Sequence, residues 1–463
     1  MKRWTERICL IQPANPWRTE IYLPGTIVNL GSRLLEAGGY EVEILDFNLT
    51  GLSDPRTREL LLRSDYIGFT VLGTPIIPRV RELVLELRKL GYSRPVLVGG
   101  EGVTRLTHEQ FDRIFPRDIY GDVRHVANDE DLKRALDVRL KRIPSRFEVS
   151  MRPMLERMSP EILKEYFRRE FCLFTSQGCI YNCDFCAASK GRREEYRDLD
   201  RLMDEVDCIA GLMKSYGLHE MNVYLSNLDG LQTPNKLEEA LQIAHSVATK
   251  HGVDFRARML ATTKLTKRAV ERDPNILLRL RGYGLHTIGF GVDGVSEAVW
   301  KRLHKGHNSL TDYEFCRAAC TAANMKVEML MVVGFSNEGW RDSLAAILYS
   351  IKNAYGEHQV IVRPYMAKED VPGSKKWQED EAARERFLSD PERLRHQEYT
   401  MFLTESTAPD WKHRLWGNLT FGALLVTMIP AGLSTYPIIP PPRRSRIGGV
   451  LVRAFNCLMP PDR

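Results

Sequence analysis

Gln177-Gly178-Cys179-Ile180-Tyr181-Asn182-Cys183-Asp184-Phe185-Cys186 sets three cysteines four and then three residues apart on a glycine-led loop. Cysteine is scarce in the rest of the chain, 9 in 463 residues, so the clustering needs a chemical reason. Soft thiolates converging from a short loop suit a metal centre, and a [4Fe–4S] cube takes one thiolate per iron. Three thiolates leave one iron open, whereas an electron-transfer cluster is normally closed by a fourth cysteine. The next cysteine is Cys208, well beyond the loop. A structural zinc site or a disulfide is the competing reading, although zinc sites favour paired CxxC knuckles.

Composition bounds the rest. At 43% hydrophobic and 27% charged, 463 residues suffice for two or three domains, each with its own core. The 66 basic and 60 acidic residues leave a formal charge of +6, a small excess that gives no reason to expect nucleic acid. Met1 to Arg7 lead straight into a short apolar strand, without the longer apolar run and cleavage site of a signal peptide. An odd number of cysteines, three of them clustered, also fits a reducing compartment, so a cytoplasmic protein is expected. Cys316 and Cys320, four apart on a helical pattern, are expected in the core.

Residues 1–136 alternate apolar runs with amphipathic stretches, the pattern of a parallel sheet with crossover helices. Strands are expected at Ile8–Gln12, Val42–Leu45, Tyr66–Val71, Pro95–Val98 and Ile119–Tyr120, with helices at Val28–Ala37 and Val80–Leu90. Ligands of such sheets sit outside the carboxyl ends of the strands. The candidates there are Pro13, then Thr70 to Thr74, then Gly99, Gly100 and Glu101, then Gly121 and Asp122. No GxGxxG fingerprint follows the first strand, which weighs against a dinucleotide.

Residues 137–170 read as an ordered linker, and 171–365 resume the βα alternation. Six strands, at Phe171–Ser176, Met221–Leu225, Asp254–Met259, Thr287–Val292, Lys326–Val333 and Gln359–Val362, make a partial (β/α)6 barrel with the cysteine loop at its carboxyl face. Residues 366–463 form a mostly helical C-terminal region. Within it, Lys375–His396 reads as a solvated helix. Leu419–Pro442 is apolar but broken by Gly and Pro, and is followed by Arg443-Arg444-Ser445-Arg446. A lid over the substrate site is the preferred reading, and weak attachment to a membrane surface is the second.

The cysteine loop, with Phe185 before its last cysteine, resembles the signature of the radical S-adenosylmethionine (SAM) superfamily. The resemblance implies a [4Fe–4S] cluster on Cys179, Cys183 and Cys186 whose open iron chelates SAM. It also implies cleavage of SAM to a 5′-deoxyadenosyl radical, with flavodoxin or ferredoxin as electron donor. SAM contacts are then expected from Phe185, from Asn227 or Asp229 for the amino group, and from Arg258 for the carboxylate. Asp293 would meet the ribose and Gly334 the adenine. Loop capping by Asn227 and Asp229, a surface ion pair at Arg256 or Arg258, and helix N-capping by Asp293 stand as the structural alternatives. Lys305-Gly306-His307 follows a Lys-Gly habit of the family, with His304 and His307 as weak proton-transfer candidates.

The first 140 residues are similar to the cobalamin-binding domain of the cobalamin-dependent class, without the DxHxxG motif. That likeness implies cobalamin against Pro13, Thr70, Thr74, Gly99, Gly100, Glu101, Gly121 and Asp122, and substrate against Arg363 and Tyr365. The expected activity is methylation of an unactivated carbon in a small-molecule natural product, lipid or peptide. Radical cyclisation, rearrangement or oxidation is the alternative, and a non-catalytic iron–sulfur or zinc protein is the alternative of another class.

Overall fold

Ile8 to Ile11 are apolar at every position and buried on both faces, as a central strand of a parallel sheet must be. This is β1 (Glu6–Gln12), and with β2 (Tyr40–Asp46), β3 (Tyr66–Thr70), β4 (Val96–Gly99) and β5 (Val123–Val126) it forms a sheet ordered β2-β1-β3-β4-β5. Every neighbouring pair is parallel. The computed structural model describes residues 5–14, 22–136, 142–188, 193–336, 338–355, 360–367, 371–392, 403 and 410–427. They divide into two units, one drawn from Met1–Tyr166, Asp370–Gly373 and Trp377–Tyr399, the other from Phe167–Glu369, Ser374–Lys376 and Thr400–Arg463.

In the first unit, helix Ile77–Lys89 turns Val80, Leu83, Val84 and Leu87 onto Ile11, Ile67, Phe69, Val96 and Val98 of the sheet. Helix Pro55–Arg63 starts with proline at its first position, and the Asp54 carboxylate accepts from the Arg56 and Thr57 amides.

Three expectations are corrected here. Ile119–Tyr120 is not a strand but the end of a short helix, Arg117–Tyr120, which begins after Pro116. The last strand is β5, beyond the turn at Gly121, because two apolar residues behind a proline are too short a signal. The described part of the expected linker packs into the first unit. Met154, Leu155 and Tyr166 are buried, Tyr166 donates to the Asp46 carboxylate at 2.9 Å, and Arg33 donates to the Pro144 carbonyl at 2.6 Å.

The stretch expected as a solvated helix also belongs to this core as far as it is described. Trp377, Phe387 and Leu388 are buried in it, the Trp377 and Phe387 rings meeting edge-on with centroids 4.7 Å apart. Helix Glu381–Ser389 lies against helix His108–Ile114, where Arg113 and Glu385 pair at 2.7 Å. Charge dominates this stretch by count, but its few aromatic and aliphatic residues join the buried cluster.

The second unit is an open sheet ordered β6-β9-β10-β11-β12-β13, parallel throughout. Its strands are β6 (Phe171–Leu173), β9 (Glu220–Leu225), β10 (Asp254–Ala261), β11 (Leu285–Gly291), β12 (Lys326–Val333) and β13 (Ile361–Met366). Helices between them cover the convex face, where Phe255, Ala257, Met259 and Ala261 of β10 are buried. A small antiparallel pair, β7 (Ser176–Gln177) and β8 (Glu195–Tyr196), brackets the cysteine loop. The chain leaving β8 is tied down by Arg197 and Glu205, a pair with side chains 1% and 0% exposed and Nη1 to Oε1 at 2.9 Å. Cys316 and Cys320 are fully buried, as expected. Among the described residues no helix is long and apolar enough to cross a membrane.

Replacing Phe387 by Ala should remove about 3–5 kcal/mol from the first unit, because the aromatic ring is buried and its cavity has little to fill it. Urea denaturation followed by far-UV circular dichroism checks this. A loss under about 1 kcal/mol would return the segment to the solvated class.

Candidate active site

Gly178 holds φ +124°, and a Cβ there would stand 2.5 Å from the Arg193 carbonyl oxygen. Only glycine lets the chain turn out of β7 so close to the strand returning through β8. Cys179, Cys183 and Cys186 follow, all partly exposed and unoxidised, with a tight turn from the Cys186 amide to the Cys183 carbonyl at 3.2 Å. Burial pushes the Cys179 thiol up, and a hydrogen bond from the Tyr181 backbone offsets part of that. Among the described residues no group of three or more His, Cys, Asp or Glu side chains is gathered around a single ion, the three loop cysteines included.

The loop is pinned from four places in the sequence. Gln232, past β9, donates to the Gly178 carbonyl at 2.9 Å and accepts from the Ile180 amide at 3.2 Å. The Asp184 amide donates to the Leu303 carbonyl at 3.1 Å, its carboxylate meets His304 Nδ1 at 2.7 Å, and its carbonyl accepts from the Lys375 amide at 2.8 Å. The Tyr181 ring stacks on His307 with centroids 3.7 Å apart. Phe185 packs edge-on against Phe335 at 5.3 Å and joins a small apolar cluster with Val299 and Leu303.

Beneath the loop stands Lys305, 6% exposed, with its ammonium 5.8 Å over the Phe185 ring. It donates to the Gly291 carbonyl at 2.8 Å and is ion-paired with Asp293. Burial pushes this ammonium down, and the neighbouring Cys183, Cys186 and Cys179 draw it back up. His307 is a buried, neutral ring rather than a surface residue. Burial, with Lys305 and Lys264 beside it, pushes its pKa down to about 4.

The expected SAM residues separate into two groups. Asn227 and Asp229 lie at the carboxyl end of β9 and are buried at 4% and 0% exposure. Asp229 accepts from the Thr262 hydroxyl at 2.7 Å, and burial pushes its carboxyl up to about 6. Asn227 Oδ1 is buried with no hydrogen-bond partner among the described residues, an acceptor waiting for a donor. Gly334 ends β12, its amide donating to Glu338 at 2.7 Å and its carbonyl accepting from His413 at 2.7 Å.

Asp293 and Arg258 are already engaged. Asp293 pairs with Lys305, and Ser296 rather than Asp293 caps helix Glu297–Arg302. Arg258 donates to Glu170 at 2.7 Å, lies 3.6 Å from Glu328 and covers the Tyr224 ring at 4.5 Å, so a carboxylate ligand would have to displace protein partners. Arg363 reaches the same Glu328 at 2.7 Å. The register sets Arg363 beside Leu330 and Tyr365 beside Val332, and Tyr365 is 44% exposed.

In the first unit, strand order reverses between β1 and β3, and the carboxyl ends on either side carry Pro13 and Thr70. Thr74 opens the turn after β3, and Gly99, Gly100 and Glu101 follow β4 on the same edge. A Cβ on Gly100 would stand 2.7 Å from the Val71 carbonyl oxygen, so this glycine serves the packing of one turn on another. The Thr70 and Thr74 hydroxyls, 4% and 5% exposed as residues, are buried without a hydrogen-bond partner among the described residues. Gly121 and Asp122 do not join them. The Asp122 carbonyl accepts from the Val96 amide at 3.0 Å, at the amino end of β4, and its carboxylate pairs with Arg124. They lie on the opposite edge because they precede β5 instead of following a strand.

The family model of the radical SAM superfamily matches residues 173–347, the stretch that carries the cysteine loop and β9 to β12. This stretch is a radical SAM domain, whose cofactors are a [4Fe–4S] cluster and SAM. The fold extends further. The radical SAM methyltransferase TsrM from Kitasatospora setae, solved with tryptophan substrate and a SAM analogue, superposes with a TM-score of 0.61 at 14% identity, covering 93% of this chain and 90% of that one. OxsB, a cobalamin-dependent SAM radical enzyme solved with aqua-cobalamin and SAM, gives 0.60 at 15% identity, covering 86% and 57%. At such identities the likeness is one of fold. An uncharacterised methyltransferase of Pyrococcus horikoshii is 25% identical over 211 residues, 44% of this chain, and the chain spans about two-fifths of that relative's length, 41%.

Gln232 carried no signal in the sequence, since one glutamine in a loop has none. Lys305 and His307 were visible as a motif, but their place under the cysteine loop was not.

Two outcomes follow from buried charge. Lys305→Met leaves Asp293 buried and unpaired and should cost roughly 3–5 kcal/mol. Adding Asp293→Asn should recover much of it in guanidinium denaturation, and an uncoupled double variant would break the pairing. Asp229 holds its proton more tightly folded than unfolded, so its contribution to stability is full below its unfolded pKa of about 4 and is lost as pH rises to about 6, by about 3 kcal/mol. Asp229→Asn should flatten that pH window, and an unchanged slope would reject the assignment.

Proposed function

We propose that this chain is a cobalamin-dependent radical SAM methyltransferase acting on an unactivated carbon of a natural product, lipid or peptide. It would work in the cytoplasm and draw its electron from a flavodoxin or ferredoxin. The carrying observation is the pair of buried, unpartnered hydroxyls of Thr70 and Thr74 beside the switch point of the first unit's sheet. Buried polar atoms are rarely left without partners, so two together on the ligand edge mark a group to be received. The fold shared with TsrM and OxsB and the partial match to a methyltransferase support the same reading.

Cys179, Cys183 and Cys186 are the thiolate donors for the cluster, and the donor set fits one open iron. Asn227 Oδ1 is the acceptor suited to the SAM amino group. Pro13, Thr70, Thr74, Gly99 and Glu101 are the candidates to hold cobalamin, with Gly100 packing the turn that carries Glu101 against Val71. When bound, the cluster with SAM supplies one-electron chemistry and cobalamin supplies a methyl carrier. The protein's own part is to hold the loop rigid through Gln232 and Asp184, to keep His307 neutral, and to present Arg363 and Tyr365 to the substrate. Glu328 fixes the guanidinium of Arg363, so its orientation is set before substrate arrives.

Radical cyclisation, rearrangement or oxidation without methyl transfer is the second reading. OxsB, described as a radical enzyme and not as a methyltransferase, favours it.

Anaerobic reconstitution with iron, sulfide and hydroxocobalamin should give about four irons and one cobalt per chain. Thr70→Val with Thr74→Val should lower the cobalt while leaving the iron. Iron without cobalt in the parent protein would reject cobalamin. S-adenosylhomocysteine formed with 5′-deoxyadenosine supports radical methylation, and 5′-deoxyadenosine alone favours the second reading.

A further inference from the structure

Helix Trp340–Tyr355 is amphipathic the wrong way round for a helix on a water-facing surface. The residues it buries include Ser343, Ser350 and Asn353, while Trp340, Leu344, Leu348, Ile351 and Tyr355 are 39–58% exposed. Their spacing of four, four, three and four puts them on one face. Helix Trp411–Leu425 buries Phe421 and Leu424 beside Gly417 and Thr420, yet still exposes Trp411, Leu415, Trp416 and Leu419 at 47–60%. The two helices pack together. They run the same way, tied near their first turns by His413 to the Gly334 carbonyl and at their ends by Tyr355 to the Val426 carbonyl at 2.9 Å. The two packed helices together thus expose nine large apolar side chains, far beyond the single exposed leucines of an ordinary surface.

The charge on the two helices is predominantly basic. Arg341, Lys352 and Lys412 are exposed and Arg414 is half-buried, against a half-buried Asp342 and an exposed Asp410 at the second helix's N-cap. Arg341 lies 5.4 Å over the Trp340 ring and Lys412 5.8 Å over Trp411, so cations rim the aromatic ends. Asp342 turns away to the Gly339 amide and Arg302, and Asp410 caps the second helix through the Lys412 amide at 3.0 Å. By sequence alone, residues 428–463 hold five arginines and one aspartate, so that stretch is basic.

We infer that this patch is a docking face for an anionic lipid bilayer surface, with both helices lying in the interfacial plane. Tryptophan and tyrosine sit well at headgroup depth, leucine below it, and arginine and lysine reach outward to phosphates. Charge decides between occupants. A second copy meeting the patch across a two-fold axis would set cations against cations, and the chain's own basic C-terminal stretch has the same sign. An anionic surface complements the basic side chains of both helices. The inference does not depend on the proposed reaction, since the helices carry none of the candidate cluster or cobalamin residues.

The test is vesicle flotation of the full chain with phosphatidylcholine alone and with equal parts phosphatidylglycerol. Binding to the anionic vesicles, weakened by salt, is expected. Leu344→Glu, Leu348→Glu and Leu419→Glu together should lower the bound fraction about tenfold or more. These positions face outward, so circular dichroism and thermal midpoint should match the parent. Absence of binding by the parent, or undiminished binding by the folded triple variant, overturns the inference. So does a parent dimer that the triple variant turns into a monomer, because the face would then belong to a second copy.

Discussion

Lys305 and Asp293 form an ion pair with side chains only 7% and 5% exposed, and the ammonium stands near enough to Cys179, Cys183 and Cys186 to interact with all three. Burying a charge is costly unless it is paired and hydrogen-bonded, and Lys305 is both, through Asp293 and the Gly291 carbonyl. The arrangement makes sense as a fixed positive charge under a loop that must gather three thiolates. The rest of the site follows from it. The turn that carries Lys305 also brings Leu303 and His304 to Asp184 and His307 to Tyr181, so one short stretch both charges and clamps the loop.

The first unit uses its glycines and threonines differently. Gly100 lets one turn press against the Val71 backbone, which is packing. Thr70 and Thr74 are then left with hydroxyls that the packing does not use. A reading that credits glycine with ligand contact therefore looks one layer too deep, because close backbone approach here is between two turns of the same sheet edge.

The sheets were legible because parallel strands covered on both faces leave unbroken apolar runs, fully buried at Ile8 to Ile11 and alternating buried with half-buried at Met329 to Val333. What failed was short or crowded with charge. Ile119–Tyr120 offered two apolar residues, and the turn at Gly121 and Asp122 was consequently assigned to the wrong edge. Trp377 and Phe387 were hidden among acids and bases that outnumber them. In the site, the cysteine loop and the place of Asn227 and Asp229 just after a strand could be read from spacing and position. The engagement of Arg258 with Glu170 and Glu328 could not, since those partners lie 88 and 70 residues away.

The partners of the cysteine loop all come later in the chain, at Gln232, Leu303, His307 and Lys375. Roughly 190 residues must leave the ribosome after Cys186 before the last of them exists, about 10–40 s at ordinary rates of synthesis. Until then the three thiols hang on an unclamped loop. The clamp on the three thiols is thus complete only once the chain has been made through Lys375, after all six strands of the second unit's sheet.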